Sequence, residues 1–97
     1  MSKYNCGPGD PFDMLAEEAA EVIQAIMKYK RFGLLDSPEN YEGTHPLDQI
    51  HREIGDFLAV LGMCVNESRL TPEYIETAVD DKIARLKEFF GYDFYAE

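Results

Sequence analysis

Apolar residues return at helical spacing in three stretches of the chain. From Phe12 onward, Leu15, Ala19, Val22, Ile23 and Ile26 follow a 3.6-residue repeat. Asp10-Pro11 ahead of them supplies an N-cap with proline at the first helical position, and Gly33 after Arg31-Phe32 supplies a stop. A second run, Leu47, Ile50, Ile54, Phe57, Leu58, Leu61 and Val65, predicts a helix from about His45 or Pro46 to Glu67. Thr71-Pro72-Glu73 opens a third helix with Ile75, Ala78, Val79, Ile83, Leu86, Phe89 and Phe90 on one face, and Gly91 ends it. Leu34 to Thr44, with Asp36-Ser37-Pro38 and Gly43, is turn-rich and reads as a loop. Nothing alternates with period two for long enough to make a strand, and neither an internal repeat nor a low-complexity tract divides the chain. The pattern predicts an all-α fold, one domain over residues 1–97, built as a helical bundle of three main helices.

The width of the apolar arcs adds a second expectation. Those of the first two helices span nearly half of each circumference, more than a three-helix core covers, and a 97-residue chain buries only a modest share of its surface alone. A homodimer or homotetramer that completes a four-helix arrangement answers both. Cys6 and Cys64 have no metal-ligand spacing, so the chain reads as cytoplasmic with reduced thiols, Cys64 in the core and Cys6 at the surface. No apolar run approaches the roughly 20 residues that span a bilayer.

Charge changes the picture. Nineteen acidic against nine basic residues give a net charge of -10, which argues against a nucleic-acid polymer as partner and leaves a small anion, bridged by metal, as the anionic ligand that fits. The acids are also clustered. Glu17, Glu18 and Glu21 fall within about a quarter turn of the first helix, and Glu53 and Asp56 within a similar arc of the second, at the edge of the stripe formed by Ile50, Phe57, Val60 and Cys64. Five facing carboxylates repel one another, and an uncompensated buried charge costs several kcal/mol. Hard divalent ions with oxygen ligands, Mg²⁺ above all, resolve that conflict.

The third helix carries an anomaly: Lys82 projects near the centre of its apolar arc, between Ala78, Leu86 and Phe89, with Arg85 at the edge. Either its stem lies on apolar surface while the ammonium reaches water, or the cation is aimed at the carboxylate site and a phosphate held there. Carboxylates that hold divalent ions, together with an inward lysine, suit a polyphosphate. Metal could polarise a phosphoryl oxygen and acidify water, and a carboxylate that does not ligate could accept the proton of that water.

Glu17-Glu18-x-x-Glu21 followed by Glu53-x-x-Asp56 resembles the EExxE and ExxD motifs of the MazG-like, all-α nucleoside triphosphate pyrophosphohydrolases, a group that includes dimeric dUTPases and phosphoribosyl-ATP pyrophosphohydrolase. The likeness extends to Lys28 to Gly33, to Gly55-Asp56-Phe57-Leu58 and to Asp81-Lys82-Ile83-Ala84-Arg85, so it covers most of Phe12 to Phe90. It implies that Glu18, Glu21, Glu53 and Asp56 ligate Mg²⁺, with Mn²⁺ able to substitute. Glu17 would bind a further ion or activate water, and Lys82 and Arg85 would contact phosphates. The implied reaction cleaves a nucleoside triphosphate, taken as a deoxynucleotide, between its α and β phosphates to give the monophosphate and pyrophosphate. The 31 residues between Glu21 and Glu53 exceed the family's usual gap, the excess falling in the Leu34 to Thr44 loop.

Competing readings are a phosphoribosyl-ATP pyrophosphohydrolase, a dUTP- or dCTP-selective relative, and a helical module that binds a divalent ion without catalysis. Lys28, Lys30 and Arg31 complement the dipole at the end of the first helix. His51 lies on the far side of its helix from Asp56 and reads as a surface or packing residue. Glu42 and His45 have an ExxH spacing, but Gly43 and Pro46 put them in a loop entry and argue against a di-iron site. Tyr4, Phe12 and Met14 read as packing, with stacking on a base as the functional alternative.

Overall fold

The computed structural model describes residues 9–33 and 46–96. Expectations for Tyr4, Cys6, the Leu34 to Thr44 loop and the Glu42–His45 pair fall outside the described residues. Among those described the chain is all-α, with helices α1 (Pro11–Lys28), α2 (Pro46–Asn66) and α3 (Pro72–Phe90).

Each helix ends where its sequence signals say. Asp10 is extended (φ -62°, ψ 137°), and its Oδ1 accepts from the Phe12 N–H at 2.7 Å while its carbonyl takes the Met14 N–H at 3.0 Å. The first bond satisfies a donor that a helix start leaves orphaned, and the second is the first intrahelical bond. The first helix winds on to Gly33, but Tyr29–Gly33 forms a π-helical turn, which takes an extra residue into each turn and rotates Lys30 and Arg31 out of the α register. Thr71 caps α3 through its backbone rather than its hydroxyl, its carbonyl accepting from Tyr74 and Ile75 at 3.1 and 3.3 Å. At the other end Gly91 adopts φ 70°, and the Gly91 and Tyr92 N–H groups donate to Lys87 and Leu86 carbonyls, closing a Schellman motif that turns the chain off the helix axis.

α1 and α2 form an antiparallel hairpin pinned at one end. The Cys64 thiol, wholly buried, donates to the Pro11 carbonyl at 3.5 Å. Arg69, in the turn after α2, puts Nη1 3.2 Å from Asp10 Oδ2 and stacks its guanidinium 4.5 Å from the Phe12 ring centroid. Asp10 is only 1% exposed, so the N-cap carboxylate is also a buried ion-pair partner for a residue 59 positions away. Ser68, at φ 58°, gives the turn its left-handed residue, and Arg69 N–H donates to the Cys64 carbonyl at 2.9 Å. With Pro11 set against Cys64, each residue one turn further into α1 meets one a turn earlier in α2.

The three helices do not close a core within one chain. α1 packs along α2, whereas α3 departs from the hairpin and touches it sparsely. The molecule measures 50 × 37 × 18 Å with a radius of gyration of 17.2 Å, against about 13 Å for a compact domain of this length. Ala25 and Cys64 are the buried hydrophobic side chains among the described residues, Pro11 lies buried beside Cys64, and Ile54, Leu58 and Val79, all on predicted core arcs, are exposed. The reason is geometric: two helices cover only the stripe between them, and α3 leads away from the rest.

Candidate active site

The hairpin register brings the two carboxylate motifs together. Glu18 projects from the middle of α1 straight at α2, where Glu53 and Asp56 stand one turn apart. One carboxylate oxygen from each of Glu18, Glu53 and Asp56 lies within 4.8 Å of the other two. Glu18 and Glu53 are half-buried and Asp56 is exposed, so the group sits at the lip of the helix interface with an open side to solvent. Glu17 and Glu21, both exposed, flank it on that side.

Electrostatics reports the crowding. Partial burial raises the proton affinity of Glu18 above that of an ordinary glutamate, and the charges of Asp56, Glu53, Glu21 and Glu17, in that order, raise it further. All five motif carboxylates therefore act on one point. Of the four ligand positions implied by the resemblance, Glu18, Glu53 and Asp56 meet within coordinating reach of one centre, while Glu21 acts on Glu18 through its charge. An all-carboxylate donor set of this spacing fits a hard divalent cation, whose oxygen ligands gather at about 2–2.6 Å around one ion. Such an ion would relieve the repulsion that the metal-free chain carries.

The two cations expected at the site stand on a different element. Lys82 and Arg85 are exposed on α3, the Arg85 Nε donating to the Asp81 carbonyl of its own helix at 3.4 Å. Because α3 stands off the hairpin, the fold of the single chain does not carry them to Glu18. His51 is exposed, as its position on the wheel predicts, and Phe12 packs under Arg69.

The hairpin's other broad side is apolar. Two residues on from Glu21 and from Asp56, roughly 200° round each helix, Ile23 and Leu58 stand 62% and 56% exposed. Ala19, Val22, Ile23 and Phe57 line a hollow of about 180 Å³ there, and a second of about 360 Å³ runs from Leu58, Leu61 and Val65 to Ile75 at the start of α3. Carboxylates on one side and an open apolar face on the other define the hairpin.

Asp10 and Arg69 are legible in the sequence only as an N-cap and a turn residue. Their pairing spans 59 residues, and no local pattern marks it. No described helix is long and apolar enough to cross a membrane.

The model of the MazG nucleotide pyrophosphohydrolase domain matches residues 11–88, from the first residue of α1 almost to the end of α3 and through both acidic motifs. No curated protein and no solved structure matches the chain. The family match covers most of the sequence, and the chain belongs to the MazG nucleotide pyrophosphohydrolase family.

Proposed function

We propose that this member of the MazG family is a divalent-cation-dependent nucleoside triphosphate pyrophosphohydrolase that releases a nucleoside monophosphate and pyrophosphate. The observation that carries the reading is the convergence of Glu18, Glu53 and Asp56 within 4.8 Å, with Glu17 and Glu21 acting on the same point. Glu18, Glu21, Glu53 and Asp56 would hold Mg²⁺, or Mn²⁺ in its place. When bound, the ion supplies charge neutralisation between an acidic protein and a polyphosphate and makes bound water more acidic.

The chain's own residues do the rest. Glu17, beside the ligands and open to solvent, accepts a proton from the attacking water. The water oxygen bonds to the α-phosphorus, the bond from that phosphorus to the αβ-bridging oxygen breaks, and pyrophosphate leaves with the electron pair. Lys82 and Arg85 bind the phosphates. Since α3 diverges from its own hairpin, we assign those cations to the carboxylate site of a second copy, in a homodimer or a dimer of dimers. The apolar side of the hairpin and the Ile75–Leu86 stripe of α3 are the surfaces such an assembly covers.

The test is a Mg²⁺-dependent assay over ribo- and deoxyribonucleoside triphosphates, with products resolved. We take the substrate as a deoxynucleotide. Monophosphate plus pyrophosphate supports the proposal; stepwise orthophosphate overturns the pyrophosphohydrolase assignment; metal binding without turnover leaves a non-catalytic module.

A further inference from the structure

Residues 89–96 lie beyond the family match and carry Phe89, Phe90, Tyr92, Phe94 and Tyr95, five aromatics in seven positions. They are built into a defined shape. The Schellman turn at Gly91 reverses the chain, Lys87 Nζ holds Asp93 Oδ2 at 3.4 Å, and Asp93 Oδ1 accepts from the Tyr95 N–H at 2.9 Å. Tyr92 and Phe94 meet edge to face with centroids 4.8 Å apart. This hook lies back along α3 and encloses with it an open groove of about 370 Å³, lined by Tyr92, Phe94, Tyr95 and Asp80 among others.

The groove meets the stripe that an assembly would cover at Ile83 and otherwise lies off it. Ile75, Val79 and Leu86 share an arc of about 40°, whereas Asp80, Ala84 and Lys87 lie roughly 100–180° away round the helix. The groove's side of α3 is acidic: Glu73, Glu76 and Asp80 are exposed along it, with Lys87 already engaged by Asp93. Aromatic faces attract a cation electrostatically, a guanidinium stacks flat on them, and a neighbouring carboxylate accepts its N–H groups.

We propose that the groove between the C-terminal hook and α3 is a docking site for an arginine-bearing basic segment of a partner protein, one arginine entering between Tyr92, Phe94 and Tyr95 toward Asp80. The rest of the segment runs along the acidic face of α3. The groove shares no residue with the proposed hydrolytic centre, whose carboxylates lie on the hairpin and whose cations are Lys82 and Arg85.

The experiment titrates an acetylated tetra-arginine amide into the full-length, ¹⁵N-labelled chain saturated with Mg²⁺, followed by amide chemical shifts. The expected result is shifts confined to residues 73–95 and an affinity that falls about fivefold in each of Phe94→Ala, Tyr95→Ala and Asp80→Asn, as the loss of one ring or one carboxylate implies. Asp13→Asn, the same charge change on α1, leaves the affinity within about twofold, a distinction that generic attraction to an acidic chain would not make. Tyr95 is 78% exposed, so its replacement tests the groove without threatening the fold. Shifts spread over α1 and α2, equal affinity in Tyr95→Ala, or free arginine binding as tightly as the tetrapeptide would each overturn the proposal. Hydrolysis, measured on the same variants, stays unchanged.

Discussion

Asp10 has two roles, and its replacement separates them. Asp10→Asn keeps an oxygen for the Phe12 N–H and removes the charge that Arg69 meets at 3.2 Å; Asp10→Ala removes both. Losing an N-cap costs about 1 kcal/mol. Breaking a buried pair costs about 3–5 kcal/mol, but Arg69 is a quarter exposed and keeps Phe12 beneath it, so about 2 kcal/mol fits this site. Asp10→Asn should therefore lose about 2 kcal/mol and Asp10→Ala about 3 kcal/mol, the latter lowering Tm by roughly 12–24 °C in a domain of this size. Arg69→Met takes the cation from a carboxylate that is 1% exposed and should cost about 3 kcal/mol. The Asp10→Asn/Arg69→Met double variant should be less destabilised than the sum, since no buried charge then lacks its cation. Urea unfolding followed by circular dichroism at one protein concentration measures all four, the concentration being fixed because assembly adds to stability. If every single variant lies within about 0.5 kcal/mol of the parent, the buried pair does not clamp the hairpin and the reasoning fails.

Further outcomes follow from the carboxylates and the open apolar face. Glu53→Gln and Asp56→Asn should abolish hydrolysis with helicity retained, and Glu17→Gln should keep nucleotide binding while losing turnover; full activity in either ligand variant would remove the cluster from the mechanism. Glu18 holds its proton more tightly folded than unfolded, so its ionisation destabilises the metal-free chain, an effect that grows as pH rises from the ordinary glutamate range through the raised folded value. Metal-free Glu18→Gln should thus be more stable than the parent at neutral pH, the gap narrowing as pH falls through that window and closing when Mg²⁺ is added; a pH-independent gap in unfolding curves would contradict it. Light scattering at micromolar concentration should give a mass of at least two 11.1 kDa chains, and mixing an inactive Glu53→Gln chain with an inactive Lys82→Ala chain should restore activity if the cations act on a neighbour's site. A monomer with full activity would refute both.

The elements of this protein are local facts. Asp10-Pro11, Thr71-Pro72 and Gly91 mark helix ends because caps, proline and left-handed glycine act within one turn, and the 3.6-residue repeat of apolar positions is a property of each helix alone. The grouping of Glu17, Glu18 and Glu21, and of Glu53 and Asp56, is local for the same reason, and these are the motifs by which the chain resembles the MazG family. Placing Glu18 against Glu53 and Asp56 needed the antiparallel register, which depends on Pro11 meeting Cys64 and Asp10 meeting Arg69 across more than 50 residues of chain. A charge does not announce its partner at that separation. Periodicity likewise marks which face of α3 is apolar but not what covers it: the turn through Ser68 sends α3 away from its own hairpin, and Lys82 goes with it rather than to the carboxylates that its sequence position suggested. The hook at Tyr92–Tyr95 exists only because Gly91 reverses the chain and Lys87 catches Asp93, a closure made by side chains in space rather than by any repeat along the sequence.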